Sequence, residues 1–523
     1  MSDKITIKRA LVSVSNKDGL VEFARALSEF GVEIISTGGT LAVLKKEGIQ
    51  AVSVSTFTGA PEILGGRVKT LNPKIHAGIL ARRDNDDDLV ELQHHEYKLI
   101  DMVVVNLYPF EQTLANPAST DKDIIENIDI GGPTMIRAGA KNFDGVAVVT
   151  SPGDYAMVLD EMKKNEGALD MAFRRQLAAQ AFALTNHYDD AISRYFVTDK
   201  EAVGEEFPNK LNLNFALKSS LRYGENPHQK ASFYYNPGFT GPTLANAQVL
   251  SGKELSYNNY SDLDACLDML LDFKEPFACV LKHANPCGAA IGETLTDAYR
   301  DALASDPLSA FGSIIGLNRK VDMATAELLH KTHFVECILA PGYDDDVLAM
   351  LKKKKMRRLL ALPGIENGRP TGETVTKFVR GGALCQSADD IETTEASLKI
   401  ATKREPTPEE IKSLLFAWKV VKHTKSNAIV LVKGTATVGI GMGQTSRVDA
   451  AELAVKRAGD RAKGAVLASD AFFPMPDGVE VPTSAGVTAI IQPGGSKGDP
   501  DVIAAADKAK AAMVFTGVRH FKH

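Results

Sequence analysis

The spacing of apolar residues over the first two hundred positions alternates between strand-like and helix-like patterns. Apolar runs predict buried strands at residues 10–15 (ALVSVS), 32–36, 102–107 (MVVVNL) and 146–150. Helical spacing predicts a helix over 20–27, a short helix that ends at Gly48, and a long helix from Met171 to about Phe196. Strands that alternate with helices in this way indicate a parallel α/β fold.

The rest of the chain mixes strands and helices with longer loops. Residues 199–217 are charged and polar and contain Gly and Pro, which predicts a linker. The turn-rich segment 363–372 divides the remainder of the chain in two. We therefore expect a first domain at 1–198, a linker at 199–217, and subdomains at 218–365 and 366–523. A lysine-rich stretch, 352–358, is expected to form the solvated face of a helix.

Composition narrows the class of protein. A chain of 523 residues is too long for one core and is consistent with about three domain-sized units. A net charge of -6 gives no general attraction to nucleic acid or to an acidic membrane. No apolar run reaches membrane-spanning length, and the N-terminus has no signal-peptide core. The five cysteines are odd in number and lack C-x-x-C spacing, so we expect a cytoplasmic protein without disulfides or structural zinc.

Two loops of the first part predict a phosphate pocket. Residues 15–17 (Ser-Asn-Lys) follow the first predicted strand, and residues 37–40 (Thr-Gly-Gly-Thr) follow the second. In a parallel sheet both loops lie at the carboxyl edge, where ligands bind. Arg67, Lys69 and Thr70 form a compact basic loop nearby in the chain, flanked by Gly and Pro, which is also suited to phosphate or a carboxamide oxygen.

An acid and a lysine follow the strongest strand of the first part. Because Gly131 and Gly132 interrupt the chain between Asp129 and Lys141, the two side chains are expected to face one cleft. Lys141 lies among small residues, and burial would lower its pKa and suit it to proton transfer. A lysine on a helix surface is the alternative.

In the second part, Lys282 and His283 end an apolar run that predicts a buried strand, with a turn expected over 285–288 (Asn-Pro-Cys-Gly). Histidine can take a proton near neutral pH, and lysine can hold a developing negative charge. Together they suit transfer of an acyl-type carbon without a metal. The alternative is a core histidine beside a lysine that reaches solvent.

Other polar segments of the second part are candidates for ligand binding. The loop 221–229 (LRYGENPHQ) is rich in hydrogen-bonding side chains. The glycines of 439–443 have the wrong spacing for a dinucleotide fingerprint and instead predict a tight loop, with Arg447 as an anion contact. The aromatic pair Phe472-Phe473, with the Gly-rich loop 493–496, suits a flat heterocycle and equally suits the edge of a core. The tail, 519–523, is expected to be frayed.

Ten segments in this order resemble one family: SVSNKDGL, STGGT, GGRVKTLNP, NLYPF, IDIGG, RAGAKN, LRYGENPHQ, KHANPCG, SDAFFP and RHFKH. The family is that of bifunctional purine-biosynthesis enzymes, which join an aminoimidazole carboxamide ribonucleotide (AICAR) formyltransferase to an inosine monophosphate (IMP) cyclohydrolase. The resemblance implies a methylglyoxal synthase-like parallel α/β domain, followed by two cytidine-deaminase-like α/β subdomains. It also implies small-molecule substrates and a homodimer whose formyl-transfer sites form across the interface.

For formyl transfer the resemblance implies 10-formyltetrahydrofolate as formyl donor and no catalytic metal. By the same resemblance, His283 is expected to take the proton of the acceptor amine, Lys282 to stabilise the oxyanion, and Asn427 to orient the amine or the histidine. The implied nucleotide contacts are Arg222, Tyr223, His228, Gly312, Glu336, Arg447, Arg519 and His523. The implied folate contacts are Phe472, Asp477, Pro493 and Gly494.

For ring closure the resemblance implies Lys141 as general acid and base. Lys69 and Tyr108 polarise or protonate the formyl oxygen, and Asp129 binds the carboxamide. The implied contacts with phosphate, ribose and base are Ser15, Asn16, Lys17, Thr37, Gly38, Gly39, Thr40, Arg67, Thr70 and Asn106. One departure is Asn72, which stands where many members have histidine.

Two alternatives stay open at this point. One is a methylglyoxal synthase-like domain fused to a zinc deaminase, and the other is a non-catalytic nucleotide sensor. The deaminase signature requires P-C-x-x-C. Here Pro286-Cys287 is followed by Gly288, Ala289 and Ala290, so the second cysteine is missing and no zinc is expected.

Overall fold

The computed structural model describes residues 3–197, 207, 211 and 213–523. The chain divides into two compact units, residues 1–213 and 214–523. This boundary lies within the segment predicted as a linker, most of which is outside the described residues. A strand already begins at Ala216, inside the same predicted segment.

The first unit is built on a parallel five-stranded sheet of order β4-β3-β2-β5-β6. A separate antiparallel pair joins β1 to β7. Both faces of the sheet carry buried apolar side chains, such as Val104 on one face and Val103 on the other, because helices cover both sides. The strands are β1 (Lys4–Thr6), β2 (Arg9–Val14), β3 (Glu33–Ser36), β4 (Val52–Ser53), β5 (Met102–Asn106), β6 (Ala147–Val149) and β7 (Ala168–Asp170).

Ten helices surround this sheet in the described part of the unit. Asn72, the departure from the family pattern, begins one of them: its side chain accepts a hydrogen bond from the N–H of Lys74 at 2.9 Å, which is a good helix N-cap. The helices are α1 (Leu20–Glu29), α2 (Gly38–Lys46), α3 (Val54–Thr58), α4 (Pro73–Leu80), α5 (Asp86–His94), α6 (Phe110–Ala115), α7 (Asp121–Glu126), α8 (Gly131–Lys141), α9 (Tyr155–Lys164) and α10 (Met171–Val197).

The second unit is organised around a twelve-stranded sheet of order β10-β15-β14-β13-β11-β12-β20-β19-β21-β22-β23-β18. Two hairpins, β8 with β9 and β16 with β17, stand outside it. The strands are β8 (Ala216–Leu221), β9 (Ala231–Tyr235), β10 (Gln248–Ser251), β11 (Phe277–Lys282), β12 (Asn285–Ile291), β13 (Ser313–Leu317), β14 (Val335–Ala340), β15 (Arg358–Ala361), β16 (Thr374–Val379), β17 (Gly382–Ser387), β18 (Lys399–Ile400), β19 (Ile429–Lys433), β20 (Ala436–Gly441), β21 (Val466–Ser469), β22 (Ala489–Gln492) and β23 (Ala512–Phe515).

The strands and helices of this unit form a structural repeat, which matches the two similar subdomains that the family resemblance implies. Each half of the sheet consists of an edge strand, a helix, an antiparallel hairpin, and three parallel strands connected by helices, in that chain order. The predicted boundary at 365/366 lies between the two halves. The helices are α11 (Tyr257–Leu270), α12 (Leu295–Ser305), α13 (Met323–Lys331), α14 (Asp345–Leu351), α15 (Pro408–Lys422), α16 (Arg447–Ala458), α17 (Asp477–Ser484) and α18 (Asp499–Lys508).

Strand direction brings the two halves of this sheet to a common edge. β11, β20, β21, β22 and β23 run one way, whereas β12, β13, β14, β15 and β19 run the other way. The carboxyl ends of the first group therefore lie beside the amino ends of the second group. We call this edge the shared edge of the second unit.

The lysine-rich stretch 352–358 is not the helix face that was expected. α14 ends at Leu351, and Arg358 already belongs to β15. Arg357 and Arg358 are only 2% and 5% exposed. The guanidinium of Arg358 tolerates burial because it pairs with Glu336 at 2.5 Å, a partner that is remote in sequence.

Candidate active sites

Asn106 joins two of the predicted ligand loops of the first unit. It ends β5, and its Oδ1 accepts hydrogen bonds from the N–H groups of Ser15 and Asn16 at 2.6 and 2.9 Å. Its Nδ2 donates to the carbonyl of Asn16 at 2.9 Å. Asn106 therefore fixes the loop after β2, which is a positioning task that leaves little of its amide for a ligand.

The N-terminus of α2 lies where the phosphate pocket is expected. Gly38, Gly39 and Thr40 form its first turn and present free N–H groups. Lys17 lies alongside, with its Cε 3.9 Å from the position of a Cβ on Gly39. Thr40 is buried, and its hydroxyl bonds the N–H and carbonyl of Val14 at 3.1 and 3.0 Å, so its side chain supports the pocket from behind.

Asp129 is the centre of a second cluster in this unit. Its Oδ1 accepts the N–H of Gly132 at 2.8 Å, and its own N–H donates to the hydroxyl of Tyr188 at 2.8 Å. Burial raises the pKa of Asp129, while the N–H groups of Gly132 and Tyr108 and the charge of Lys69 oppose that rise. Lys69, Tyr108 and Asp129, all expected at one site, thus lie together.

Two glycines make this cluster possible. A Cβ on Gly131 would lie 2.7 Å from Oγ1 of Thr70, and one on Gly132 would lie 2.5 Å from Oδ2 of Asp129. Tyr188 of α10 is a supporting residue that sequence reasoning missed. Burial raises its pKa to about 12, so its hydroxyl stays neutral. It lies in a long helix with no local signal of function.

Arg67, which was expected at the same site, pairs with a residue outside the Asp129 cluster. Its guanidinium is exposed and pairs with Glu126, with Nε donating to Oε1 at 3.0 Å. The loop before it has positive φ at Leu64, Gly65 and Gly66. A phosphate or carboxamide that binds Arg67 must therefore compete with Glu126.

The expectation that Lys141 is buried and shares a cleft with Asp129 is wrong. Gly131 and Gly132 do not break the chain but begin α8, and Lys141 is the last residue of that helix. Ten residues of helix rise separate Gly131 from Lys141 by about 15 Å. Lys141 is exposed, in a groove that also contains Arg137, Arg175 and Phe182.

In the second unit, the turn after Lys282 is tighter than expected. β11 and β12 form a two-residue hairpin in which Lys282 pairs with Asn285, and Pro286 and Gly288 lie inside β12 rather than in the turn. His283 and Ala284 are the turn residues, with φ of 54° and 55°. Both φ values lie in the left-handed region, which is typical of a primed hairpin turn but unusual for residues other than Gly, Asn or Asp.

The neighbours of this turn include two expected nucleotide contacts. Nζ of Lys282 donates to the carbonyl of Phe311 at 2.9 Å, next to Gly312. Gly312 has φ of 72° and donates its N–H to the carbonyl of Phe334 at 2.8 Å, which leads into Glu336. His283 itself is exposed.

Asn427 is held in one orientation before β19. Its Oδ1 accepts from Nη2 of Arg447 at 2.7 Å, and its Nδ2 donates to the carbonyl of Gln444 at 2.9 Å. Arg447 is 7% exposed and also bonds Ser469 and Asp470. The Arg447 guanidinium is thus divided between Asn427, through Nη2, and the pair Ser469 and Asp470, through Nη1.

The expected folate contacts lie at the carboxyl ends of β21 and β22. Phe472 is 39% exposed, whereas Phe473 is buried and donates its N–H to Oε1 of Gln492 at 3.3 Å. Gly494 has φ of 72°, and a Cβ there would lie 2.6 Å from the ring of Phe515. Asp477 is exposed at the start of α17.

The tail is not frayed, contrary to expectation. The N–H of His520 donates to the carbonyl of Asp470 at 3.0 Å, and Nδ1 of His520 lies 2.6 Å from Asp389. Nζ of Lys522 pairs with Asp268 at 2.8 Å. Arg519 remains exposed, with its guanidinium 4.3 Å from the ring centre of Phe521, and His523 is also exposed.

The loop 222–229 follows β8, with Arg222 over the ring of Tyr223 at 5.5 Å and His228 exposed. The carbonyl of Glu225 accepts a hydrogen bond from Asn258 of α11 at 3.3 Å.

Each remaining expected formyl-transfer residue lies within or next to a segment that meets the shared edge. They are Lys282, His283, Gly312, Glu336, Asn427, Arg447, Phe472, Asp477, Pro493, Gly494, Arg519 and His523.

Within residues 3–197, 207, 211 and 213–523, no group of three or more His, Cys, Asp or Glu is arranged to hold a metal ion. In the same residues, no helix combines the length and apolar character needed to cross a membrane.

Comparison with known proteins identifies the family. A family profile described as "AICARFT/IMPCHase bienzyme" matches residues 139–457, and one described as "MGS-like domain" matches residues 19–134. The "Bifunctional purine biosynthesis protein PurH" of Halalkalibacterium halodurans is 53% identical over 516 residues, 99% of this chain and 100% of the relative. The chain belongs to the PurH family. The protein of the same name from Bacillus thuringiensis subsp. konkukian is 52% identical over the same shares.

Membership of the PurH family confirms the resemblance drawn from the ten motifs. The chain is an α/β enzyme with an MGS-like domain first, and it carries AICAR formyltransferase and IMP cyclohydrolase, the last two steps of purine biosynthesis. A deaminase fusion and a non-catalytic sensor are thereby set aside.

Proposed function

We propose that the shared edge of the second unit is the formyl-transfer site and that the Asp129 cluster of the first unit is the ring-closure site. The observation that carries the first assignment is strand direction. Lys282 and His283 end β11, Asn427 precedes β19, and Phe472 follows β21, yet all three strand ends meet one edge of one sheet.

In formyl transfer, the amine of AICAR attacks the formyl carbon of 10-formyltetrahydrofolate. The carbonyl oxygen becomes an oxyanion, which the ammonium of Lys282 stabilises. His283 accepts the proton that the amine loses, because its imidazole is exposed at the end of the strained turn and free to approach substrate. The intermediate then collapses, the bond to N10 of the folate breaks, and N10 takes a proton.

In ring closure, the carboxamide nitrogen of formyl-AICAR attacks the formyl carbon, and water leaves. Asp129 accepts a hydrogen bond from the carboxamide and holds its nitrogen toward the formyl group. Lys69 and Tyr108 polarise the formyl oxygen and protonate it as it leaves. The N-terminus of α2 and Lys17 hold the phosphate.

Lys141 can act as general acid and base in ring closure only if it reaches the Asp129 cluster. Its ammonium lies at the far end of α8 from Asp129, so within one chain the two groups do not act on one substrate. A second copy of the chain would have to supply Lys141. We infer a homodimer, as the resemblance implies, and a cytoplasmic location, which the five free cysteines support.

The two assignments are tested together by supplying AICAR and 10-formyltetrahydrofolate to purified protein and following IMP. His283→Ala should stop formation of formyl-AICAR but still convert formyl-AICAR that is supplied directly. The Asp129→Asn protein should still form formyl-AICAR, which should accumulate because ring closure is slowed. Loss of both activities in either folded variant would refute the separation of the two sites.

A further inference from the structure

The hairpin turn that carries His283 is in an unfavourable conformation. Left-handed backbone is unfavourable at a residue with a Cβ, and this turn has two such residues in succession, His283 and Ala284. Contacts from the surrounding structure must therefore hold it. Local contact comes from Asn285, whose Nδ2 donates to the carbonyl of His283 at 3.0 Å and whose Oδ1 accepts the N–H of Lys425 at 3.2 Å.

The strongest outside contact comes from α11. Oδ1 of Asp262 accepts a hydrogen bond from the N–H of Ala284 at 2.7 Å. A carboxylate that accepts a backbone N–H forms a charge-assisted bond, about twice as strong as one between neutral groups. α11 also contacts the loop 222–229 through Asn258, so the same helix meets two segments of the proposed formyl-transfer site.

We propose that Asp262 is a positioning residue for formyl transfer: by holding the N–H of Ala284 it fixes the left-handed turn and thereby the place of the His283 imidazole. The inference rests on the role proposed for His283 in formyl transfer. Asp262 does not itself touch substrate in this arrangement.

The electrostatic surroundings of Asp262 agree with this placement. Burial raises its pKa, and the N–H of Ala284 and the charge of His283 oppose that rise. Glu336 of β14 raises the pKa further, whereas Lys425 from the loop before β19 lowers it. Asp262 therefore lies near charged groups of the proposed site that come from three separate elements: the His283 turn, β14 and the loop before β19. Sequence reasoning missed it because an aspartate in SDLDACLDML has the pattern of an ordinary helix surface.

Two variants separate the hydrogen bond from the mere presence of a side chain. Asp262→Ala removes the acceptor, and its kcat for formyl transfer should fall by about 10- to 100-fold, the scale of a misplaced catalytic group. KM for AICAR should change little. Asp262→Asn keeps an oxygen that can accept the N–H of Ala284, so most of kcat should return. Ring closure, in the other unit, should be unchanged in both.

A matched control is Asp322→Ala. Asp322 accepts the N–H of Thr325 at 2.7 Å, the same kind of bond at the same length, but follows the end of β13 that lies opposite the shared edge. This variant should keep the wild-type kcat. Hydrogen exchange of the peptide over 283–285 should be faster in Asp262→Ala than in Asp262→Asn. Fluorescence of Trp418, the only tryptophan, reports that the second unit is folded.

The inference is overturned if folded Asp262→Ala keeps the wild-type kcat, or if Asp262→Asn is as slow as Asp262→Ala. His283→Ala distinguishes a failure of the role proposed for His283 from a failure of the positioning role proposed for Asp262. If His283→Ala retains formyl transfer, the proposed role of His283 itself fails. If His283→Ala is inactive while Asp262→Ala is unaffected, only the positioning role fails.

Discussion

The guanidinium of Arg447 donates a hydrogen bond from Nη2 to Oδ1 of Asn427 across 2.7 Å. The same guanidinium pairs through Nη1 with Asp470, which is completely buried. Because Nδ2 of Asn427 is also bonded, to Gln444, the amide cannot rotate. Arg447 thus sets which way Asn427 faces at the shared edge.

Replacing the forked guanidinium with a single ammonium tests that relationship. Arg447→Lys keeps a charge for Asp470 but cannot span both partners. We expect kcat for formyl transfer to fall by about 10- to 100-fold, since Asn427 loses its fixed orientation. Ring closure measured on the same preparation is the control. A wild-type kcat for formyl transfer would contradict the orienting role.

The two chemistries should respond to separate substitutions. His283→Ala removes the proposed general base, which should cost on the order of 10²–10⁴-fold in formyl transfer. Asp129→Asn removes the carboxylate proposed to bind the carboxamide and should slow ring closure instead. Rates with AICAR plus folate and with supplied formyl-AICAR measure the two steps. A parallel decline of both steps in either variant would show that the sites are not independent.

Much of the fold could be predicted because periodicity reports burial. The runs ALVSVS and MVVVNL become β2 and β5, and the long helix becomes α10, each within about two residues of its predicted bounds. The turn at His283 could not be predicted in this way. Asn285, Pro286 and Gly288 have turn propensity, but tertiary contacts place them in β12 and place the turn at two residues without that propensity.

Contacts between remote residues explain the other failures. Arg358 looks like a surface cation until Glu336 is placed beside it by β14 and β15. Lys141 looks buried because its neighbours are small, yet the helix ends there and exposes it. The two halves of the second unit were expected from the family resemblance and not from a repeated motif: the hairpin turn of one half is His283-Ala284, and that of the other contains Gly434.

Mixing two inactive variants tests whether Lys141 acts at the Asp129 cluster of a second copy of the chain. If Lys141 acts at the Asp129 cluster of a second copy, Lys141→Ala and Asp129→Ala chains should complement each other once subunits have exchanged. A half-and-half mixture should regain about a quarter of the wild-type ring-closure rate, because half of the dimers are mixed and each has one intact site. No recovery in a mixture proven to exchange subunits would exclude this arrangement.

A buried charge network should make the second unit sensitive to acid. Burial alone would raise the pKa of Asp272, but the hydrogen bond from His423 and the charges of His423 and Lys422 outweigh it and hold that pKa well below the usual range. A depressed pKa in the folded state contributes stability above the unfolded value, near 4, and this stability is lost as pH falls through the folded value.

Asp272→Asn should therefore destabilise the second unit by about 3 kcal/mol at pH 7, since Lys422 loses its carboxylate and the buried His423 keeps only Asp268. The difference from wild type should shrink as the pH is lowered below 4. Urea unfolding followed by Trp418 fluorescence measures both values, because Trp418 lies on α15, which also carries Lys422. An equal difference at pH 7 and at pH 3 would contradict this assignment.

We propose that a single kind of polypeptide performs formyl transfer and ring closure at two separate sites. The most direct test gives purified protein AICAR and 10-formyltetrahydrofolate, without added metal, and follows IMP and tetrahydrofolate. The two products should form in equal amounts, and formyl-AICAR should accumulate when Asp129→Asn replaces the wild type. Absence of IMP from wild-type protein that binds both substrates would contradict it.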